Sequence, residues 1–236
     1  MEYKGIHINN IDSPIFVTGT KRSGSSMVAK ILEICGVFTG EVSSMKESVI
    51  ISKLVDQYFD FINVDKKGQY PLPEEEIFIP TEWRKNIESA LVKMNYKDQI
   101  WMYKDSRLIL TWQMWHYAFP NAKWILVMRK PTDIIQSCLR TAHMNSYKDK
   151  EILKAIKEED EQAGWLWWIR QHNLRFVKMI EAGVNCKMIW PQKMVEGDYQ
   201  QMYETLQWLG VEWADDIINQ MEPILQKSRK KKKIVI

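Results

Sequence analysis

The chain has 236 residues, enough for one large domain or two small ones and for a substantial core. Apolar residues make up 45% and charged residues 27%, which is ordinary globular usage and excludes a disordered or fibrous chain. The formal net charge is only +3, and Arg229 with Lys230 to Lys233 forms a basic tail, so the body is nearly neutral and unsuited to charge-driven nucleic acid binding.

Met1 to Ser13 is polar and reads as a lead-in strand or loop. Ile15 to Thr18 is a continuous apolar run, the pattern of a buried strand in a parallel sheet. A helix follows from Met27 to Ile34 and stops near Gly36, a usual C-terminal cap. Met45 to Asn63 reads as the next helix, with Glu47 in its first turn. Lys66 to Pro80 carries prolines and Glu74-Glu75-Glu76 and reads as a surface loop. Thr81 is placed to cap a helix over Glu82 to Met94.

Ile100 to Lys104 is the second strand, broken by Asp105 and Ser106, with a helix from Leu108 to Ala118. Lys123 to Met128 is the clearest strand, and it empties into Arg129-Lys130-Pro131. Thr132 then caps a helix from Asp133 to Thr141. Ile152 to Ala182 is helical with a break near Gly164, Cys186 to Trp190 is the fourth strand, and Tyr199 to Leu209 is a helix closed by Gly210. A last helix spans Ala214 to Leu225. Strands alternating with helices at this spacing predict an α/β fold, an open parallel sheet with helices on both faces. Residues 1–226 read as a single domain and 227–236 as a solvated, partly disordered basic tail.

The three cysteines are far apart and form no C-x-x-C pair, which argues against a disulfide framework or a zinc site. His7, His116, His143 and His172 have no metal-ligand spacing, so no metal site is expected. No apolar run approaches the roughly 20 residues of a membrane span, and the N-terminus lacks a signal-peptide pattern. A soluble protein in a reducing cytoplasm, without a membrane or nucleic acid partner, is the reading these features support. The 11 tryptophans are explained first by core packing, including Trp165, Trp167 and Trp168 on one helix.

Chemistry concentrates in two turns. Thr18-Gly19-Thr20-Lys21-Arg22-Ser23-Gly24-Ser25-Ser26 joins the first strand to the first helix. Its backbone N–H groups and the helix N-terminus favour an anion. Gly19 and Gly24 have the spacing of a Walker A loop, and Ser26 stands at its Ser/Thr. Ser25 replaces the lysine that nucleotide triphosphate enzymes use on the β/γ-phosphates. The cations Lys21 and Arg22 sit earlier, inside the turn. The second turn is Arg129-Lys130-Pro131-Thr132-Asp133, with Ser137 about one helical turn further on. Arg129 leaves a strand end as a planar fork suited to phosphate. In an open α/β sheet ligands bind beyond the carboxyl ends of the strands, and both cationic turns lie there. A ligand with two anionic groups held apart by a nucleoside would satisfy both.

These residues resemble a known family. Arg129-x-Pro131-x-Asp133-x-x-x-Ser137 looks like the 3′-phosphate motif of sulfotransferases that use 3′-phosphoadenosine 5′-phosphosulfate (PAPS). The first turn resembles their 5′-phosphosulfate loop in its bacterial and Golgi form. Lys104-Asp105-Ser106-Arg107 and Phe119-Pro120-Asn121-Ala122-Lys123 are similar to flanking family segments, with Ser106 where proline is usual. The likeness runs from about Phe16 to Val211. It implies a P-loop-NTPase-like fold and transfer of a sulfuryl group from PAPS to an acceptor hydroxyl or amine, leaving adenosine 3′,5′-bisphosphate. It further implies a metal-independent reaction and a small-molecule or glycan acceptor.

By that resemblance Lys21, Arg22, Ser23, Gly24, Ser25 and Ser26 hold the 5′-phosphosulfate. Arg129 and Ser137 hold the 3′-phosphate, and Arg22 also stabilises the leaving group. The base is Glu47, with Asp105 as the second candidate, since the histidine of cytosolic members would fall on Ser106. Lys104 either contacts the sulfuryl oxygens or pairs with Asp105. The alternatives are a phosphotransferase of the small-molecule kinase kind and a non-catalytic nucleotide-binding protein.

Overall fold

The structure, a computed structural model, describes residues 10–70 and 73–233. The lead-in from Met1, with His7, lies outside the described residues; Asn10–Asp12 is a short 3-10 turn. Four parallel strands form one sheet in the order β2-β1-β3-β4. They are β1 (Ile15–Gly19), β2 (Met102–Lys104), β3 (Lys123–Val127) and β4 (Cys186–Ile189). Val17 is in register with Lys104 on one side and Ile125 on the other, and Gly19 is opposite Val127.

Strand alternation divides the core into two layers. Phe16, Trp124 and Leu126 face one side with α2 (Val49–Phe61), α3 (Trp83–Lys93) and α4 (Trp112–Ala118). Four aromatic rings meet Phe16 edge-on at centroid distances of 4.8–6.1 Å, among them Trp101, Trp115 and Trp124. Ile15, Val17, Ile125 and Val127 face the other side. There they pack with α1 (Ser25–Ile34), α8 (Pro191–Val195), α9 (Gln200–Leu209) and α10 (Ile217–Lys233). A third cluster joins α5 (Pro131–Leu139), α6 (Lys150–Ile156) and the first half of α7 (Glu161–Glu181), and Trp165 and Trp168 are buried in it.

Strand order places the site. From β1 the chain crosses to β2 on one side, then returns past β1 to β3 on the other. The crevice between the carboxyl ends of β1 and β3 is therefore the topological switch point, where open α/β sheets bind ligands.

Several boundaries differ from the sequence reading. The helix expected from Met45 begins at Val49, because residues 42–48 fold into a turn closed by a bridge between Val42 and Ser48. Lys46 adopts a positive φ of 63° there, and the Ser48 hydroxyl caps the helix at Ile51 N–H. Glu47 thus precedes the helix and is not in its first turn. Thr81 is not the cap of α3; Glu82 holds that position without a side-chain bond. Nor does Thr132 cap α5, since Pro131 opens it and Lys130 takes the cap position, the usual place for a proline whose missing N–H costs nothing.

The break between α6 and α7 comes at Lys157, with φ 61°, rather than at Gly164. Gly164 lies inside α7, and it is glycine there because a β-carbon would lie 2.7 Å from the Tyr147 ring. The stretch from Leu108 starts as a 3-10 turn, Leu108–Thr111, before becoming α4. The expected strand end at Trp190 is instead the cap of the unforeseen α8. The last helix continues past Pro223 through Lys233, so the backbone of the basic tail is helical that far.

Candidate functional site

The loop after β1 is shaped by its glycines. A β-carbon on Gly19 would sit 2.5 Å from the Val127 carbonyl oxygen, so only glycine lets β1 and β3 close here. Gly24 caps α1 with φ 101°, a left-handed conformation that L side chains rarely adopt. Its open face lies against Pro191 of α8, 3.3 Å from where a β-carbon would be. Arg22 is left-handed too, with φ 72°, which turns its side chain across the crevice.

There Arg22 meets the second turn. Its Nε donates to the Ser137 hydroxyl at 2.8 Å. Arg129 Nη1 donates to the Arg22 carbonyl at 2.7 Å, while Asp133 is only a loose partner at 3.9 Å. Burial draws the Arg129 guanidinium below its ordinary value, with Asp133 opposing the shift and Arg22 adding to it. Ser137 is buried at the crevice, not turned to solvent on the helix. The two anion turns are thus one joined surface, built from residues more than a hundred positions apart.

Ser23 is buried, yet its hydroxyl has no hydrogen-bond partner among the described residues. Buried polar groups in native structures nearly always have one. An orphaned hydroxyl inside a glycine-shaped, N–H-lined loop fits an anionic ligand that supplies the acceptor. Ser25 is buried at the start of α1, and the Ser26 hydroxyl donates to the Met45 carbonyl at 3.0 Å. Lys21 is half-buried. Desolvation draws its ammonium below the ordinary lysine value, Asp105 and Glu47 partly offset this, and Arg107 reinforces it.

At the carboxyl end of β2 the charges are paired. Lys104 is buried and donates to Glu47 Oε1 and to the Met45 carbonyl, each at 3.0 Å. This corrects the sequence alternative that paired Lys104 with Asp105. Glu47 keeps 26% of its side chain exposed, and its second oxygen has no hydrogen bond among the described residues. An ion pair from Lys46 to Glu33 on α1, 2.7 Å long, holds the turn that carries Glu47.

Asp105 has a different setting. It is 1% exposed, and both its oxygens accept from Arg107, one of them also from the Tyr103 hydroxyl at 2.8 Å. Its Oδ1 also accepts from the Arg107 backbone N–H at 2.8 Å, which caps the turn. Burial alone would raise the Asp105 carboxyl, but the Arg107 guanidinium overrides it and holds it below the usual carboxylate range. Burial and the neighbouring Asp105 charge push the Tyr103 phenol well up. Asp105 is therefore occupied in holding Arg107 and is poorly placed to take a substrate proton.

Sequence reasoning missed Arg107 as the partner of Asp105, although the Lys104-Asp105-Ser106-Arg107 segment marked the place. It also missed Gln69, which falls in the stretch read as a surface loop and is fully buried. No local signal distinguishes that glutamine, because its partners lie beyond residue 140. His143 is exposed in its loop, as a loop histidine usually is. Its value is lowered by desolvation and by Lys21, Arg22 and Lys67.

Comparison with known proteins agrees with this arrangement. Residues 14–215 match the profile of a family described as the Sulfotransferase family. Among solved structures, sulfotransferase STF9 from Mycobacterium avium matches with a TM-score of 0.56 at 12% identity, over 94% of this chain and 70% of that one. Sulfotransferase STF1 from Mycobacterium tuberculosis matches with a TM-score of 0.52 at 11% identity, over 92% of this chain and 73% of that one. At such identities the likeness concerns the fold alone. No curated protein matches the chain.

Proposed function

Since the chain belongs to the sulfotransferase family, we propose that it transfers a sulfuryl group from PAPS to a hydroxyl or amine of a small-molecule or glycan acceptor, without a metal ion, in the cytoplasm. The observation that carries this reading is the junction of the two turns. Arg22 reaches Ser137, Arg129 holds the Arg22 carbonyl, and the buried Ser23 hydroxyl of the same loop has no hydrogen-bond partner among the described residues.

When bound, PAPS would supply an activated sulfuryl group on a phosphosulfate anhydride. The loop N–H groups, that of Ser26 included, and the hydroxyls of Ser23 and Ser25 hold the 5′-phosphate, with Lys21 adding charge nearby, while the Ser26 hydroxyl stays on the Met45 carbonyl. Arg129 and Ser137 hold the 3′-phosphate. Arg22 faces the negative charge that grows on the leaving group, the preorganised electrostatic contribution that is usually the largest single effect in such sites. Glu47 takes the acceptor's proton through its free oxygen. Lys104 holds Glu47 in place, and only two of its three N–H donors are engaged. The third remains for a sulfuryl oxygen. Asp105 serves by fixing Arg107 beneath Lys104, not as the base.

A kinase-like phosphotransferase is the competing reading. It would need a lysine where Ser25 stands, buried at the start of α1. A melting comparison separates the two. Adenosine 3′,5′-bisphosphate without Mg²⁺ should raise Tm, by mass action on the native state. Stabilisation only by ATP with Mg²⁺ would overturn the proposal. Labelled PAPS incubated with candidate acceptors then tests transfer itself, and binding without transfer to any acceptor would point to a non-catalytic nucleotide-binding protein.

A further inference from the structure

Resting on the sulfotransferase reading, we infer that the acceptor carries an anionic group, a carboxylate or phosphate, and that Lys67 and His143 recognise it on a wall that Gln69 holds together.

The wall is built from two segments about 75 residues apart in sequence, 65–70 and 143–147, as the bond from Gln69 to His143 shows. Gln69 is fully buried between them. Its amide donates to the His143 carbonyl at 2.8 Å. Its side-chain oxygen accepts from the N–H groups of Asn145 and Ser146 at 3.1 and 3.2 Å and from the Ser146 hydroxyl at 3.0 Å. The Tyr147 hydroxyl donates to the Gln69 carbonyl at 2.5 Å. Every polar atom of the glutamine side chain is thus used to join one loop to the other. A buried, fully satisfied network of this kind specifies one arrangement.

Lys21 links the wall to the proposed base, lying within electrostatic reach of Glu47, Asp65 and His143. Arg107 donates to the Lys66 carbonyl at 3.2 Å, and a β-carbon on Gly68 would lie 3.1 Å from the Arg107 side chain. Arg107 is the partner of Asp105, the residue after Lys104, and Lys104 holds Glu47.

Lys67, the lysine of this wall, makes no ion pair among the described residues, although the Asp65 carboxylate lies in the same turn. The Asp65 carboxylate accepts from the Lys67 and Gln69 backbone N–H groups, both at 2.9 Å, so it caps the turn. Among the described residues neither Lys67 nor Lys21 has a carboxylate within 4.0 Å. The Lys67 ammonium touches only the neutral Asn145 side-chain oxygen, at 3.3 Å. Lys67 and His143 are exposed, with Lys21 and Arg22 within electrostatic reach of His143. The donor's phosphates already have Ser23 to Ser26, Arg129 and Ser137. The exposed Lys67 ammonium, bonded only to the neutral Asn145 among the described residues, and the exposed His143 ring, an N–H donor, are left for the other substrate.

The test uses the full chain saturated with adenosine 3′,5′-bisphosphate. Its probes share one phenol and differ in charge: 4-hydroxybenzoate, 4-hydroxyphenyl phosphate and methyl 4-hydroxybenzoate. Calorimetry should show at least one anionic probe binding about tenfold or more tighter than the ester, the equivalent of one well-placed charge contact. Which anion leads identifies the group. In the Lys67→Gln, His143→Gln variant that preference should fall to within about threefold, while the Kd for the bisphosphate stays within about twofold, which also shows that the variant is folded. Equal or absent binding of both anions in the wild type overturns the inference. So does a variant that loses bisphosphate affinity about tenfold, since the two side chains would then serve the nucleotide. Failure of the wild type to bind the bisphosphate at all would instead overturn the sulfotransferase reading on which the inference rests.

Discussion

The carboxyl ends of β1 and β3 treat their cations differently from the carboxyl end of β2. In the crevice between β1 and β3, Arg22 bonds a hydroxyl and Arg129 bonds a backbone carbonyl, and the nearest carboxylate, Asp133, is 3.9 Å from Arg129. At the end of β2, Lys104 meets Glu47 at 3.0 Å and Arg107 meets Asp105 at 2.7 Å. The first pair of cations is positioned but not neutralised, and a ligand can claim it. The second is neutralised and buried, and it positions other groups. A carboxylate neutralises the cation it bonds whereas a hydroxyl or carbonyl leaves the charge standing, so the choice of partner separates a binding role from a structural one.

Asp105→Ala should give the largest effect and the sharpest test of that contrast. It breaks the buried Arg107–Asp105 pair and leaves the guanidinium with only the half-exposed Asp56 as a carboxylate partner, which costs up to about 3–5 kcal/mol of folding stability. Denaturant unfolding measures it. Ser137→Ala, on the other side of the contrast, should cost about 1 kcal/mol or less. If the two variants lost similar stability, the distinction between the regions would collapse.

Arg129→Ala should act on the ligand instead. It should weaken adenosine 3′,5′-bisphosphate binding by about 2–4 kcal/mol, the range for a desolvated charge-assisted contact. Calorimetry reads this directly, alongside a thermal unfolding curve that should shift little. A large loss of stability with intact binding would make Arg129 a pin for the loops only.

Glu47→Gln tests the junction between the regions. Bisphosphate binding should be almost unchanged, while single-turnover transfer from labelled PAPS should fall about a hundredfold, the usual contribution of a positioned general base. Unchanged turnover would remove Glu47 from the chemistry and leave its carboxylate as a tether for Lys104.

How far the sequence shows these things depends on how local each cause is. The four strands and both anion turns are legible because a buried strand, a glycine turn and a helix start are adjacent in the chain. The Lys104–Glu47 pair was beyond reach. It needs the turn at residues 42–48, whose positive φ at Lys46 has no glycine to announce it. Arg22 is the same case, left-handed without a glycine, so its reach to Ser137 cannot be read from spacing. The Gly164 misreading shows the converse. That glycine is there for the Tyr147 ring, not for a bend, and the contact is tertiary. Gln69 shows the limit: its partners are so far along the chain that a buried keystone reads as loop.

At neutral pH His172 contributes nothing, the smallest effect of the set, and its slope in acid tests how completely the positive charge behind the loop has been identified. It is 1% exposed on α7. Its Nδ1–H donates to the Trp168 carbonyl at 2.9 Å, which leaves Nε2 as an acceptor with no partner among the described residues. Burial lowers its pKa to about 3; the Trp168 bond opposes the shift, and the charges of Arg175 and Lys21 add to it. The ring is therefore neutral in the fold across the working range. Above its ordinary value of 6.5 the folded and unfolded states hold the same number of protons at this site, and it contributes no pH dependence. Below that value the unfolded chain takes up a proton that the native state refuses. Stability should then fall as pH drops from 6.5 toward 3, by up to about 1.4 kcal/mol per pH unit from this one group. Urea titrations at pH 7, 6, 5 and 4, compared with the same series on His172→Gln, isolate that slope from the carboxylates. Parallel curves for the two proteins would mean that His172 is protonated in the native state. The interior beside Lys21 would then hold one more unpaired cation than the geometry assigns to it.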